Sequence, residues 1–125
     1  MENDRAKFKS EFKIRIYRWT LSIVRFISNL PKNLTNDVMG KQLMRSSTSV
    51  IANYIEANSA SSKKDFTNFF THSLKSANES KVWLCLIKDS SENQKTKEAV
   101  PVLLSELEEI SKILASSIMK LKGKK

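Results

Sequence analysis

The chain runs to 125 residues with only two glycines and two prolines, and its 22 Lys and Arg outnumber 13 Asp and Glu for a net charge of +9. That length supports one domain, residues 1–125, and so few turn-forming residues exclude a sandwich or barrel. A single cysteine excludes an intrachain disulfide, and the longest apolar run, six residues at 82–87, is far short of the roughly 20 that span a bilayer.

The charge is unevenly spread. Between Arg5 and Arg45, ten basic residues stand against Glu11 and Asp37, a segmental net of +8, whereas residues 46–94 balance and 95–125 carry +3, ending in a basic tail at 122–125. A polyanion partner follows, nucleic acid before a membrane surface. The start, Met1-Glu2-Asn3-Asp4, lacks the apolar stretch of a signal peptide, and Cys85 is expected to be a buried, inert thiol inside its apolar run. The expectation is a soluble cytoplasmic protein with no membrane partner.

The first helix is expected over about 7–29, stopped by Pro31, because a residue before proline is pushed out of the helical region. At 100° per residue, Phe8, Phe12, Ile16, Trp19, Ile23, Ile27 and Leu30 make a core stripe. A second stripe, Ile14, Tyr17, Leu21 and Val24, lies nearly opposite and marks an oligomer interface. Between the stripes run Arg15, Arg18, Ser22, Arg25 and Asn29, with Lys9 and Lys13 nearby.

The second helix is expected over 36–57, opened by Asn36-Asp37, with Met39, Leu43, Val50 and Tyr54 as core, widened by Met44, Ile51 and Ile55. Gln42, Arg45, Ser46, Ser49, Asn53 and Glu56 form a polar line on the other side. The third helix, 63–88, opens on Ser62 with Asp65 three residues later, the spacing of a capping box. Phe66, Phe69, Phe70, Ser73, Ala77, Leu84 and Ile87 line its core side, while Val82, Trp83 and Leu86 make its last turns apolar almost all round and extend the oligomer interface. The fourth helix, 97–121, repeats Leu103, Leu107, Ile110, Leu114 and Leu121, with Pro101 tolerable only near its first turns. Short connections between helices of similar length give the expected fold class: all-α, an antiparallel up-down-up-down four-helix bundle.

Gln42, Arg45-Ser46, Ser49-Val50, Asn53-Tyr54-Ile55-Glu56, Asp65-Phe66, Phe69-Phe70, Ser76 and Glu79 make a pattern that resembles the four-helix-bundle family encoded in intervening sequences of bacterial 23S ribosomal RNA genes. Related to that family is the accessory variability determinant of diversity-generating retroelements. The resemblance implies a homopentamer and, for the retroelement relatives, a basic surface that engages RNA and reverse transcriptase. Two positions depart from the family pattern. Ala57 replaces a glycine at the end of the second helix, where Asn58 could supply the left-handed exit, and Lys75 replaces the glycine before Ser76.

Two functional readings follow. The first is a basic, oligomeric, RNA- or DNA-binding accessory protein, RNA favoured, with Lys9, Lys13, Arg15, Arg18, Arg25, Lys41 and Arg45 as phosphate-binding cations. The second is a scaffold that docks an acidic protein. No glycine-rich phosphate loop, G-x-S-x-G or H-E-x-x-H is present, so no enzyme and no cofactor is expected. His72, the sole histidine, has no partner at ligand spacing, so no metal is expected. Gln42, Ser49, Asn53, Glu56 and Glu79 are expected to form an interhelical polar network, not a catalytic site.

Overall fold

Four α-helices account for nearly all of residues 2–123, the part that the computed structural model describes: α1 (Glu2–Ser28), α2 (Leu34–Asn58), α3 (Lys63–Ser90) and α4 (Gln94–Leu121). Lys124 and Lys125 of the basic tail lie outside the described residues.

Three helices begin on a side-chain cap. The Asn33 side chain accepts from Asn36 N at 2.8 Å, Ser62 Oγ from Asp65 N at 3.1 Å and Asn93 Oδ1 from Thr96 N at 3.0 Å, each satisfying a backbone donor that the first turn leaves free. Two of these caps correct the expected boundaries. Asn33, not Asn36, opens α2; Asn36 is buried and donates from Nδ2 to Pro31 O at 2.7 Å, pinning the α1–α2 turn. Asn93 starts α4 three residues earlier than expected, which puts Pro101 two turns inside the helix rather than near its start. Its ring sits on the exposed face of α4, where water can serve the Lys97 carbonyl that proline leaves without a partner. At the other end of α2, no described residue but Gly123 has a positive φ, so Asn58 does not supply a left-handed exit. Ser59 N instead bonds to Ile55 O at 3.2 Å and Glu56 O at 3.1 Å, tightening the last turn.

The helices pack in a ring, each on two neighbours, with α2 and α3 in the most extensive contact and α1 and α4 in the least. Residue numbers rise along one helix as they fall along its neighbour. Phe12 meets Tyr54 and Ile27 meets Gly40 between α1 and α2; Ser46 meets Ser80 and Tyr54 meets Phe70 between α2 and α3; Arg15 meets Glu106 and Trp19 meets Leu103 between α1 and α4. A Cβ on Gly40 would lie 3.2 Å from Ile27 Cγ2, so the bare backbone there lets α1 come close, against a helix-propensity cost of about 1 kcal/mol.

Inside the ring sit Phe12, Ile16, Trp19 and Ile23 from α1, Leu43, Val50 and Tyr54 from α2, Phe70, Ala77, Leu84 and Ile87 from α3, and Leu103, Leu107, Ile110 and Leu114 from α4. Four residues depart from expectation. Phe8 is 52% exposed, stacked on Phe12 near the end of the bundle instead of enclosed by it, and Ile55 is likewise exposed. Cys85 is exposed, because a helix cannot turn six consecutive apolar residues inward: Leu84 and Ile87 take the core, and Val82, Cys85 and Leu86 face out. Ser46, assigned to a polar outer line, is fully buried against α3. No described helix is long and apolar enough to cross a membrane.

Candidate nucleic-acid interface

The seven basic residues singled out on α1 and α2 divide into two kinds. Arg15 is spent within the bundle. Its Nε donates to Glu106 Oε2 at 2.7 Å and its Nη2 to Glu106 Oε1 at 2.9 Å, a two-pronged clamp between residues 91 positions apart that raises the already high Arg15 pKa. Arg45 is likewise engaged. It pairs with Glu79 and donates to Gln42 Oε1, at 2.9 Å from Nη2 and 3.2 Å from Nε. The other five, Lys9, Lys13, Arg18, Arg25 and Lys41, are exposed, and among the described residues none reaches a carboxylate within ion-pair distance.

These five do not converge on one face. Lys9 lies on the α2 flank of α1, where its carbonyl accepts the Tyr54 hydroxyl at 3.3 Å, whereas Arg18 lies on the α4 flank beside Arg15. Between the flanks the outer face of α1 carries the second apolar stripe. Ile14 and Tyr17 are 44% and 58% exposed there, and Leu21 and Val24 are half-buried. On α3, Trp83 is half-buried and Leu86 exposed.

The polar residues of α2 meet α3 along a seam built from small hydroxyls. Ser46 and Ser80 share a hydrogen bond at 2.8 Å, Ser76 donates to Ser49 at 2.8 Å, Asn53 Nδ2 donates to the same Ser49 oxygen at 2.8 Å, and Ser73 donates to Val50 O at 2.7 Å. Glu79 closes the seam, accepting from Trp83 Nε1 at 2.9 Å and pairing with Arg45. The indole donor first and the guanidinium second hold its carboxyl below the usual carboxylate range. Of the expected network, Gln42, Ser49, Asn53 and Glu79 are joined in this way, while Glu56 is exposed and takes no part in these bonds. Ser73 and Ser80 belong to the seam although the linear pattern did not single them out as polar partners; their signal is a helical spacing, Ser73-Ser76-Ser80, that mirrors Ser46-Ser49 on α2. Lys75, at the departed glycine, is exposed and does not enter the contact.

Among the described residues, the seam's side chains bond to one another and to the main chain. Ser46, Ser73, Ser76 and Ser80 donate to another hydroxyl or a main-chain carbonyl and Ser49 accepts from Ser76 and Asn53, the only histidine is exposed, and among the described residues no cluster of His, Cys, Asp and Glu could hold a metal ion.

Together these features define a basic all-α four-helix bundle with a closed hydroxyl seam and free cations on its surface. The family model of the 23S rRNA-intervening sequence protein matches residues 10–116, and the chain belongs to that family. It is similar to a crystallised protein of unknown function from the S23 ribosomal protein family of Bacteroides thetaiotaomicron, at 33% identity and a TM-score of 0.79 over 88% of this chain and 96% of that one. No curated protein matches. Neither name carries an enzymatic activity.

Proposed function

We propose that this protein is a non-enzymatic, oligomeric accessory factor that binds nucleic acid, RNA in preference to DNA. One observation carries the reading: of the seven cations singled out on α1 and α2, internal ion pairing consumes Arg15 and Arg45, and the other five are exposed with no carboxylate partner among the described residues. The family name, with its link to ribosomal RNA, supports RNA over DNA. Opposed residue order along neighbouring helices supports an antiparallel, up-down-up-down subunit.

Assembly is the second part of the proposal. The outward stripe Ile14, Tyr17, Leu21 and Val24 lies on α1, and Trp83 and Leu86 lie on α3, diagonally across the ring. Two different patches on opposite corners suit a head-to-tail contact that closes into a ring, in keeping with a homopentamer. Repetition around that ring multiplies the cations and turns a weak attraction into a usable one.

Gel shifts of the purified chain on single-stranded RNA and duplex DNA test the reading. Binding is expected to weaken with salt, with a log–log slope of about −3 to −4 for a single strand if all five cations of one subunit reach phosphates. No shift of either nucleic acid at low salt would remove it. Recovery of one acidic protein after nuclease treatment would move the conclusion to the scaffold reading. Leu21→Glu and Tyr17→Glu are each expected to lower the mass seen by light scattering; an unchanged mass for both would put the interface elsewhere.

A further inference from the structure

At the end of the bundle where α1 begins and α4 finishes, a cavity of about 670 Å³ opens to solvent. Its floor is aromatic. Phe12, Tyr54, Phe66 and Phe70 pack edge-to-face or tilted, with ring centroids 5.0 to 5.6 Å apart, and Phe8 lies nearly parallel to Phe12 at 6.0 Å with half its surface uncovered. The rim is cationic. Arg5, Lys9, Lys63 and Lys120 surround the opening against one carboxylate, Asp4, and none of the four is in an ion pair among the described residues.

The opposite end of the bundle is different. One cavity there, about 400 Å³, is lined by Asn33, Asn36, Ser90, Ser91 and Asn93, with Glu92 as the charged side chain, and holds no aromatic ring. Five aromatic rings beneath four cations without an ion pair among the described residues set the first cavity apart from this one.

We infer that this cleft receives one unpaired base of a single-stranded nucleic acid, stacked on Phe8, with the flanking phosphates held by Arg5, Lys9, Lys63 and Lys120. The inference rests on the nucleic-acid reading above and gives it an address. A base offers a flat π face to Phe8 and carries anions on both sides through its backbone, so one ligand answers both halves of the site. An acidic peptide answers the charge but leaves the aromatic floor without a partner. A duplex hides its base faces in the stack and cannot enter.

Fluorescence anisotropy of the full chain at fixed low salt tests this with a labelled ten-nucleotide RNA, a strand of the same length with abasic residues, and a duplex. The wild type is expected to hold the base-bearing strand about tenfold more tightly than the abasic one, the scale of a single base–aromatic stack. Phe8→Leu keeps the apolar bulk without the π face and is expected to bring the base-bearing strand down to the affinity of the abasic one; Phe8→Tyr is expected to keep the preference. Arg5→Ala is expected to weaken both strands by a similar factor. Equal affinity of the wild type for the two strands, or a preference that persists in Phe8→Leu, overturns the cleft while leaving nucleic-acid binding in place. Failure to bind any of the three probes overturns both.

Discussion

The α2–α3 seam and the α1–α4 seam solve the same packing problem by opposite means. Between α2 and α3, serines and Ala77 let the backbones come close, and hydroxyl bonds fill the contact. Between α1 and α4 the contact is the thinnest in the ring, held by the Arg15–Glu106 clamp and by Trp19, whose Nε1 donates to Leu103 O at 3.1 Å, and flanked by a groove of about 570 Å³. One seam depends on the absence of side-chain volume, the other on two large side chains, Arg15 and Trp19, reaching across.

That contrast can be broken most severely at Trp19. Trp19→Ala removes a buried indole from the thin seam and strands no compensating contact beside it, so a loss of about 3–5 kcal/mol is expected in urea unfolding. Next in size is a pair of identical changes. Ser46→Leu inserts a branched side chain into a site with no free space and is expected to cost about 1–3 kcal/mol, whereas Ser22→Leu on the exposed wall of the α1–α4 groove is expected to stay within about 0.5 kcal/mol. Equal effects from the two would erase the distinction between the seams.

Smaller is the effect of Glu106→Gln. Both partners are more than a third exposed, so the clamp is worth about 0.5–1 kcal/mol, and that difference is expected to shrink when unfolding is repeated at 1 M salt. The smallest effect is a pH dependence at the α2–α3 seam. Glu79 titrates lower in the folded chain than its ordinary value of 4.5, so its contribution is complete above that value and fades as pH falls through the lower folded one. Glu79→Gln is expected to flatten this part of the stability curve below about pH 5, read from denaturation midpoints measured on the acid side.

Much of the architecture was legible in the linear pattern. The stripe of Phe12, Ile16, Trp19 and Ile23, the Ser62 cap with Asp65 and the stop at Pro31 are all local consequences of helical periodicity and backbone stereochemistry. Phe8 and Cys85 depart from the linear pattern for a shared reason. Periodicity gives the side of a helix but not how far its neighbours extend, nor which members of a continuous apolar run win the inward positions. Ser46 erred the other way: a polar residue reads as outward until a facing serine, Ser80, gives it a buried partner.

The candidate site was legible as a list and not as a surface. Its cations could be counted, but whether each is free depends on what stands opposite. Arg15 and Arg45 are consumed by Glu106 and Glu79, and the aromatic cleft joins Phe8, Tyr54, Phe66 and Lys120 from four different helices.

Four amphipathic helices, the Ser62 cap and an excess of positive charge in the first third follow from residue order, because helix formation and net charge depend on near neighbours and on composition. Which charges remain for a partner, where serines replace bulk and where an aromatic face stays open were decided by the packing, because each depends on residues tens of positions apart brought within a few ångströms.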